Sequence, residues 1–556
     1  TRERGFRGDE SYGKHRGIDY LMRYKKYFKD PDAFLEMVNK VVPFLNGGLF
    51  ECLDDKDKKI YIDGFSDNMS KTDGKINDLI VPDYLFFGHE EKTDLSADYG
   101  TKNKGTKEAA VKGLINILKS YKFTIAENTP IEEDVALDPE LLGKVFENLL
   151  ASYNPETKTT ARKQTGSFYT PREIVNYMVD ESLIAHLKNS VSNWDMEEKE
   201  LDEKLHQLLS FESVNPFEHN TKEIIHSLDN CKILDPACGS GAFPMGILQK
   251  MVHILQKVDP DNEYWQDLQL EKAQRETEDI FVIKNKEERE QRLLEINEAF
   301  DETINNPDYA RKLFLIENCI YGVDIQPIAA QISKLRFFIS LVVEQKVNKE
   351  KENFGIRPLP NLETKFVTAN TLIGIDKPDG ELFYTKEVQE KEAELKAIRH
   401  KLFGAKTKAT KVKYRKKDEE LRNEIADILK KGNLPVESAE QLAGWDPYDQ
   451  NGVSPFFDPE WMFDIKDGFD IVIGNPPYVQ IQKFSGQQCQ KDWQAQNFKT
   501  FVKTGDIYSL FYEKGNMVLR DGGILTFITS NKWMRANYGK ATRKYFIDCV
   551  NIIQII

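Results

Sequence analysis

At 556 residues, 40% hydrophobic and 30% charged, the chain has the make-up of a folded protein of several domains of about 100–200 residues each, which excludes a disordered or low-complexity polymer. No apolar run approaches the ~18 residues of a membrane-spanning helix. The net charge of −14 excludes a uniformly basic nucleic-acid binder, but not a protein with local basic patches.

Cys52, Cys231, Cys238, Cys319, Cys489 and Cys549 are scattered, with no CxxC pair. That argues against a zinc site or disulfide framework and for a reducing cytoplasm. The chain opens at Thr1 rather than Met and closes on Asn551-Ile-Ile-Gln-Ile-Ile556, which reads as the middle of a strand. Both ends are expected to belong to a longer protein.

Residues 1–29 are locally basic and read as a solvated end, the alternative being an arm that contacts phosphates. Asp32–Leu45 reads as an amphipathic helix stopped by Gly47-Gly48. Pro82-Asp83 followed by Glu90-Glu91-Lys92 has the residue types of a metal-dependent nuclease, but the separation is short and Phe86-Phe87-Gly88 looks like packing. Helices are expected over Lys107–Tyr121 and Pro139–Tyr153, which makes residues 1–160 a mainly helical domain.

At Gln164-Thr-Gly-Ser-Phe-Tyr-Thr-Pro-Arg-Glu173, Thr170 can cap a helix with Pro171 at its first position and Glu173 completing a capping box. The alternative is that the same helix start holds a ligand carboxylate. Residues 189–230 read as a polar, irregular excursion. Lys232–Phe243 then runs from a strand through Asp235-Pro-Ala-Cys-Gly-Ser-Gly241 into a helix over 242–257. This is the opening of a doubly wound α/β sheet, with glycines that let backbone approach a ligand. GxxxxGK[ST] is missing, so the loop is not read as a nucleoside triphosphatase's.

Residues 258–312 read as a charged helical insertion. Cys319–Ile325 reads as a strand ending in Asp324, placed for ribose hydroxyls or simply to cap the apolar helix that follows, 327–343. A third strand ends at Asn370. Residues 386–431 read as an inserted helical hairpin broken at Phe403-Gly404-Ala405, and the whole insertion as about 378–450. Its run Lys411, Lys413, Arg415, Lys416, Lys417 is more readily solvated surface than a nucleic-acid contact. Phe456–Phe463 is a packed lead-in to Asp470-Ile-Val-Ile-Gly-Asn-Pro-Pro-Tyr478.

That last stretch is a buried strand ending in a proline-stiffened elbow. Asn475 and the carbonyl of Pro476 offer two acceptors, which match the two N–H donors of an exocyclic amino group. Tyr478 offers an aromatic plane for a flat base. A Pro-Pro turn with an ordinary Asn is the bland alternative. A helix from 504 to about 519, a strand over 522–530, helix over 531–550 and a final strand from 551 complete the expected elements.

In this order, Gly166-Ser-Phe-Tyr-Thr-Pro171, Asp235–Gly241, Tyr321-Gly-Val-Asp324, Ala369-Asn-Thr371, Asn475-Pro-Pro-Tyr478 and the segment containing Asp506 resemble the γ-class amino-methyltransferases of DNA, adenine-N6 type. The resemblance spans about 160–556. The long insertions look most like the bacterial type IIG restriction-modification proteins; methyltransferases of the BREX phage-defence systems, which lack a nuclease, are similar. The resemblance implies a Rossmann-like sheet over 161–556 and S-adenosylmethionine as cofactor. It implies double-stranded DNA as partner, with the target adenine flipped out, and neither metal nor covalent enzyme intermediate.

The resemblance also implies site residues. Tyr169, Thr170, Pro171, Asp235 and the loop Ala237, Cys238, Gly239, Ser240, Gly241 would hold the methionine part of the cofactor. Asp324 would bind ribose and Ile325 would lie against the adenine. Asn370, where many relatives carry Asp, and Thr371 would meet its far edge. Asn475, Pro476, Pro477 and Tyr478 would bind and stack the target base. The second base-stacking aromatic and the target-recognition domain would lie beyond residue 556. Competing expectations are N-methylation of a protein glutamine, whose amide poses the same chemical problem, and a non-catalytic binding module.

Overall fold

The computed structural model describes residues 88–94, 107–120 and 170–556, apart from short internal stretches, and two earlier pairs of two-residue strands. Everything expected before residue 170 outside these stretches, including the Asp32–Leu45 helix, Pro82-Asp83 and residues 139–152, lies outside the described residues. The chain divides into two compact units: Thr1–Ala136 with Asn348–Pro358, and Leu137–Val347 with Leu359–Ile556.

In the first unit the helix expected over Lys107–Tyr121 is corrected. Glu91–Thr93 pairs antiparallel with Ala109–Val111, and only Leu114–Lys119 is helical. The Gly113 N–H donates to the Gly88 carbonyl at 2.8 Å, which closes a hairpin ahead of the helix. Lys92 is exposed on this hairpin, 3.3 Å from Glu108.

The second unit opens with helix α1, Arg172–Ser190, whose N-cap is Pro171 with no side-chain cap. The expected capping box of Thr170 and Glu173 is therefore not formed, because the Thr170 hydroxyl is engaged elsewhere. Residues 189–230 are also corrected. They contain helices Glu198–Leu209 and Thr221–Asn230, which bury Leu201, Leu205, Leu208 and Ile224, Ile225, Leu228 at helical spacing. Apolar residues one turn apart were outvoted in the reading by the polar residues between them.

Five strands form a parallel sheet: β1 Ile233–Asp235, β2 Ile320–Asp324, β3 Phe366–Thr368, β4 Phe469–Gly474 and β5 Leu519–Phe527, in the order β5-β4-β1-β2-β3. Helix α2, Ala242–Val258, follows β1, and α3, Pro327–Val342, follows β2. Charged helices Glu263–Glu278 and Lys286–Phe300 fill the first insertion. Helices α4, Lys386–Phe403, and α5, Lys408–Lys431, form the expected hairpin. Helix α6 is Tyr508–Val518. After β5 the chain makes two short turns, Asn531–Met534 and Asn537–Gly539, before α7, Lys540–Cys549. Residues 551–556 are exposed and form no strand, contrary to the strand expected from residue 551, because no ladder partner lies beside them among the described residues.

Central strands buried on both faces read as unbroken apolar runs, as Ile471–Ile473 does. Side chains alternate across a strand, so the sheet's two covers can be told apart. Leu234, Tyr321, Val323, Val367 and Val472 share one cluster with Leu395 of α4, Leu421 and Ile425 of α5, and Trp461 and Phe463. Phe366 points the other way, onto Phe337 of α3, with rings 4.7 Å apart. The hairpin insertion is thus one of the sheet's two covers.

A buried charge cluster fastens that cover. Asp418 of α5, 0% exposed, accepts from Arg399 Nε at 2.9 Å and Arg422 Nε at 2.7 Å. Arg399 also donates to the Trp461 carbonyl at 2.6 Å, just ahead of β4. Burial pushes the Asp418 carboxyl up, but the two guanidiniums outweigh it and hold the group below the usual 3.8. Its stabilisation is therefore present above pH 3.8 and is lost as the pH falls through the lower folded-state value. Asp418→Ala, which strands two buried guanidiniums, should cost about 3–5 kcal/mol in urea unfolding. Asp418→Asn should flatten the wild type's loss of stability below about pH 4.

Candidate active site

The site forms where β1 and β4 lie side by side. Their register pairs Ile471 with Ile233 and Val472 with Leu234, so the two strands end together. Ligand crevices of open α/β sheets form at such a point, where neighbouring strands send their connections in opposite directions. Gly474, the last residue of β4, faces Asp235, the last of β1. An ideal Cβ at Gly474 would sit 2.6 Å from Asp235 Oδ1. The elbow starting at Asn475 is thereby fixed against the start of the Gly-rich turn.

The turn is built from its own backbone and from its neighbours. Ala237 N–H donates to Asp235 Oδ1 at 3.1 Å, and Gly239 N–H to Asp324 Oδ2 at 2.9 Å. Cys238 N–H donates to the Val323 carbonyl. Gly239 and Gly241 have φ of +53° and +81°, a region that β-carbons disfavour. Ser333 Oγ donates to the Gly239 carbonyl at 3.0 Å, and the buried Arg336 guanidinium to the Ser240 carbonyl at 2.8 Å. The sequence reading missed Ser333 and Arg336. The available signal was an arginine inside the otherwise apolar α3.

Charge at this corner is tightly confined. Burial, set against the Ala237 N–H, raises the Asp235 carboxyl well above the usual carboxylate range, and the Asp324 charge adds to the rise. Burial and both carboxylates likewise raise the Cys238 thiol, which fits a packing role and not a nucleophile. Asp324 also accepts from Gln326 N–H at 2.8 Å, a turn ahead of α3 and not a cap, since the N-cap of α3 is Gln326 with no side-chain cap. Beside it, Ile325 is 55% exposed. From β3, Thr371 Oγ1 donates to the Pro236 carbonyl at 2.7 Å, and the Asn370 N–H to the Ser454 carbonyl.

On the elbow, Asn475 Nδ2 donates to Thr170 Oγ1 at 3.0 Å, across a sequence separation of 305 residues. This is the bond that takes Thr170 away from helix capping. It joins the start of α1 to the elbow. Pro171 is exposed, and Tyr169 lies outside the described residues. Tyr478 is half-buried and its hydroxyl donates to the Ile528 carbonyl at 3.0 Å. Burial, with a smaller contribution from Tyr512, pushes that hydroxyl up to about 12. Its ring lies 5.8 Å from Tyr508. Tyr508 meets Tyr538 hydroxyl to hydroxyl at 3.0 Å, and Tyr538 donates to Asp506 Oδ2 at 2.9 Å.

The described residues thus bring together Thr170, Asp235, the 237–241 turn, Asp324, Thr371 and the Asn475–Tyr478 elbow. A cavity of about 310 Å3, lined by Lys334, Gln331, Thr368, Trp445, Asp446 and Ser454, lies two strands away at the outer edge of β3. It is therefore distinct from the crevice between β1 and β4. No group of three or more His, Cys, Asp or Glu among the described residues is placed to hold a metal.

A parallel sheet in this order, with a Gly-rich turn after its first strand and an Asn-Pro-Pro-Tyr elbow after its fourth, defines a doubly wound α/β protein of the kind that fits a methyltransferase fold. Residues 318–556, from β2 onward, match the family of Eco57I restriction-modification methylases. The chain is 26% identical over 478 residues to a Methanocaldococcus jannaschii protein provisionally named a type II restriction enzyme and methyltransferase; the match covers 75% of this chain and 35% of that protein. It is 40% identical over 92 residues to the type II methyltransferase M.XhoI of Xanthomonas vasicola, 15% of this chain and 16% of that protein. It is 28% identical over 81 residues to the type II restriction enzyme and methyltransferase RM.Eco57I of Escherichia coli, 14% of this chain and 8% of that protein. The similarity to type II restriction-modification methyltransferases expected from the motifs is borne out. The chain spans about a third or less of the length of these relatives.

Gly474→Ala should destabilise the protein by about 1–3 kcal/mol in thermal or urea unfolding, because the added methyl meets a buried carboxylate with no room to retreat. Gly486→Ala is the control. Unlike Gly474 it has a left-handed φ, of +82°, and nothing lies within 4 Å, so its cost should reflect backbone strain alone, where that of Gly474→Ala reflects the clash.

Proposed function

We propose that this chain is the methyltransferase part of a type II restriction-modification protein, one that methylates the N6 of adenine in double-stranded DNA using S-adenosylmethionine. The observation that carries the reading is the meeting of the two strand ends, with Gly474 against Asp235 and Asn475 bonded to Thr170. The names of the relatives support the class of activity. The adenine target, the cofactor and a cytoplasmic location are this reading's own additions.

The residues present fit the cofactor. The positive-φ glycines Gly239 and Gly241 bring bare backbone to the crevice. Asp324, whose two oxygens accept the backbone N–H groups of Gly239 and Gln326, stands at the end of β2 where it would meet a ribose hydroxyl. The exposed Ile325 is an apolar platform for a purine. S-adenosylmethionine, when bound, supplies an electrophilic methyl group. On the elbow, Asn475 and the Pro476 carbonyl accept the two N–H donors of the target amine, which keeps its lone pair on nitrogen. Thr170, by accepting from the Asn475 Nδ2, holds that amide in place. Tyr478, anchored through its hydroxyl, presents a ring on which a flipped base stacks, and this helps offset the few kcal/mol that flipping costs. The chemistry is alignment, with no side chain taking a covalent role.

In the full-length protein, Asn475→Ala should abolish transfer of labelled methyl groups to DNA while leaving cofactor affinity within about twofold. Thr170→Val should lower kcat by roughly tenfold, the scale of one lost orienting hydrogen bond. Label appearing on protein and not on DNA would instead establish a glutamine target. Undiminished transfer by the Asn475→Ala variant would remove the mechanism.

A further inference from the structure

Residues 475–556 carry 11 Lys and Arg against 5 Asp and Glu, a local net of +6 in a chain of net −14. Among the described residues, the one ion pair made by a cation of this segment is that of Arg520 with Asp470, at the far end of β4 from the elbow. Lys483, Lys503, Lys532, Arg535, Lys540 and Lys544 are all exposed. They belong to three stretches that the fold brings together. Residues 479–481 pair with 505–507 through Ile481 N–H to Gly505 O and Ile507 N–H to Val479 O, both 2.9 Å. Gly505 in turn packs on Tyr538, which is bonded to Asp506. The Lys532–Arg535 turn follows Ile528, whose carbonyl takes the Tyr478 hydroxyl. The unpaired cations therefore flank the elbow.

The other basic run behaves differently. Lys411 of α5 is buried, Arg415 pairs with Glu363 at 3.1 Å, Lys416 with Glu420 at 3.8 Å and Lys417 with Glu394 at 3.5 Å. Three of the run's five cations are thus paired and a fourth is buried; the fifth, Lys413, is exposed and lies 5.9 Å from the Tyr414 ring. Cations held without internal partners repel one another and are disfavoured unless an anion compensates them.

We propose that Lys503, Lys532, Arg535, Lys540 and Lys544, with Lys483, form a phosphate-contacting surface. It docks the backbone of a nucleic-acid duplex beside the elbow, and the α5 run takes no part. This rests on the methyltransferase reading for its choice of duplex DNA as the polyanion. Each phosphate neutralised releases counterions, so the surface has a quantitative signature in the salt dependence of binding.

The test measures binding of the full-length protein to a short non-specific DNA duplex by fluorescence anisotropy, over about 50–200 mM salt. Arg535→Gln with Lys540→Gln should reduce the slope of log affinity against log salt by about 2, and Lys503→Gln alone by about 1. Lys416→Gln with Lys417→Gln should leave it unchanged. The single Lys503→Gln variant keeps the test decisive if the double variant folds poorly, and an unaltered slope there overturns the surface. So does an equal loss of slope in the α5 variant, or a slope that responds only with single-stranded RNA. Methyl transfer by the wild type is measured alongside. Transfer with unresponsive slopes sinks the surface alone, whereas responsive slopes without transfer sink the methyltransferase reading and leave the surface standing.

Discussion

The arrangement depends on the absence of one β-carbon. Gly474 lets the end of β4 close onto the buried Asp235 at the end of β1. Because the strands are parallel and in register, both connections leave the sheet from the same end. One becomes the Gly-rich turn and the other the Asn-Pro-Pro-Tyr elbow. A side chain at residue 474 would push apart the two elements whose separation sets the chemistry. The prolines after it prevent the strand from continuing and so preserve the elbow's direction.

Around that contact the protein spends hydrogen bonds on backbone, not on catalytic side chains. Ser333, Arg336, Thr371 and Asp324 reach the 236–241 turn from two neighbouring strands and a helix. A turn of small residues has little side chain of its own to pack, so its shape must be imposed from outside. Buried, satisfied polar groups do this with more directional control than apolar contact. The raised carboxyl of Asp235 is the electrostatic cost of placing two acids at one dry corner.

Much of this was legible locally. Apolar runs ending in glycine or acid gave β1, β2 and β4 and their order in the chain, and charge-rich stretches of good helix formers gave α4 and α5. Tertiary demands made the rest illegible. Thr170 has every feature of a helix cap, yet its hydroxyl bonds Asn475, a partner 305 residues away. The leucines of Glu198–Leu209 looked like isolated apolar residues in a polar stretch until neighbouring helices gave them a surface to bury. Residues 551–556 are rich in isoleucine, like the middle of a strand, but have no neighbour to pair with among the described residues, and pairing is what makes a strand. Arg336 could be noticed only as an oddity, since nothing near it in sequence names the carbonyl it serves.

The charge pattern divides along the same line as the chemistry. In α4 and α5 many cations are paired with acids of the same hairpin, as Lys391 is with Glu424 at 2.6 Å and Lys417 with Glu394 at 3.5 Å. On the stretches after the elbow the acids are fewer and otherwise engaged. Asp506 accepts from Tyr538, and Glu513 takes the backbone N–H groups of Lys499 and Thr500 at 3.0 and 2.9 Å. Local cations there are left without internal counter-charges. An acidic total and a basic working face are thus compatible, because charges buried in pairs contribute little field at a distance while unpaired ones contribute fully.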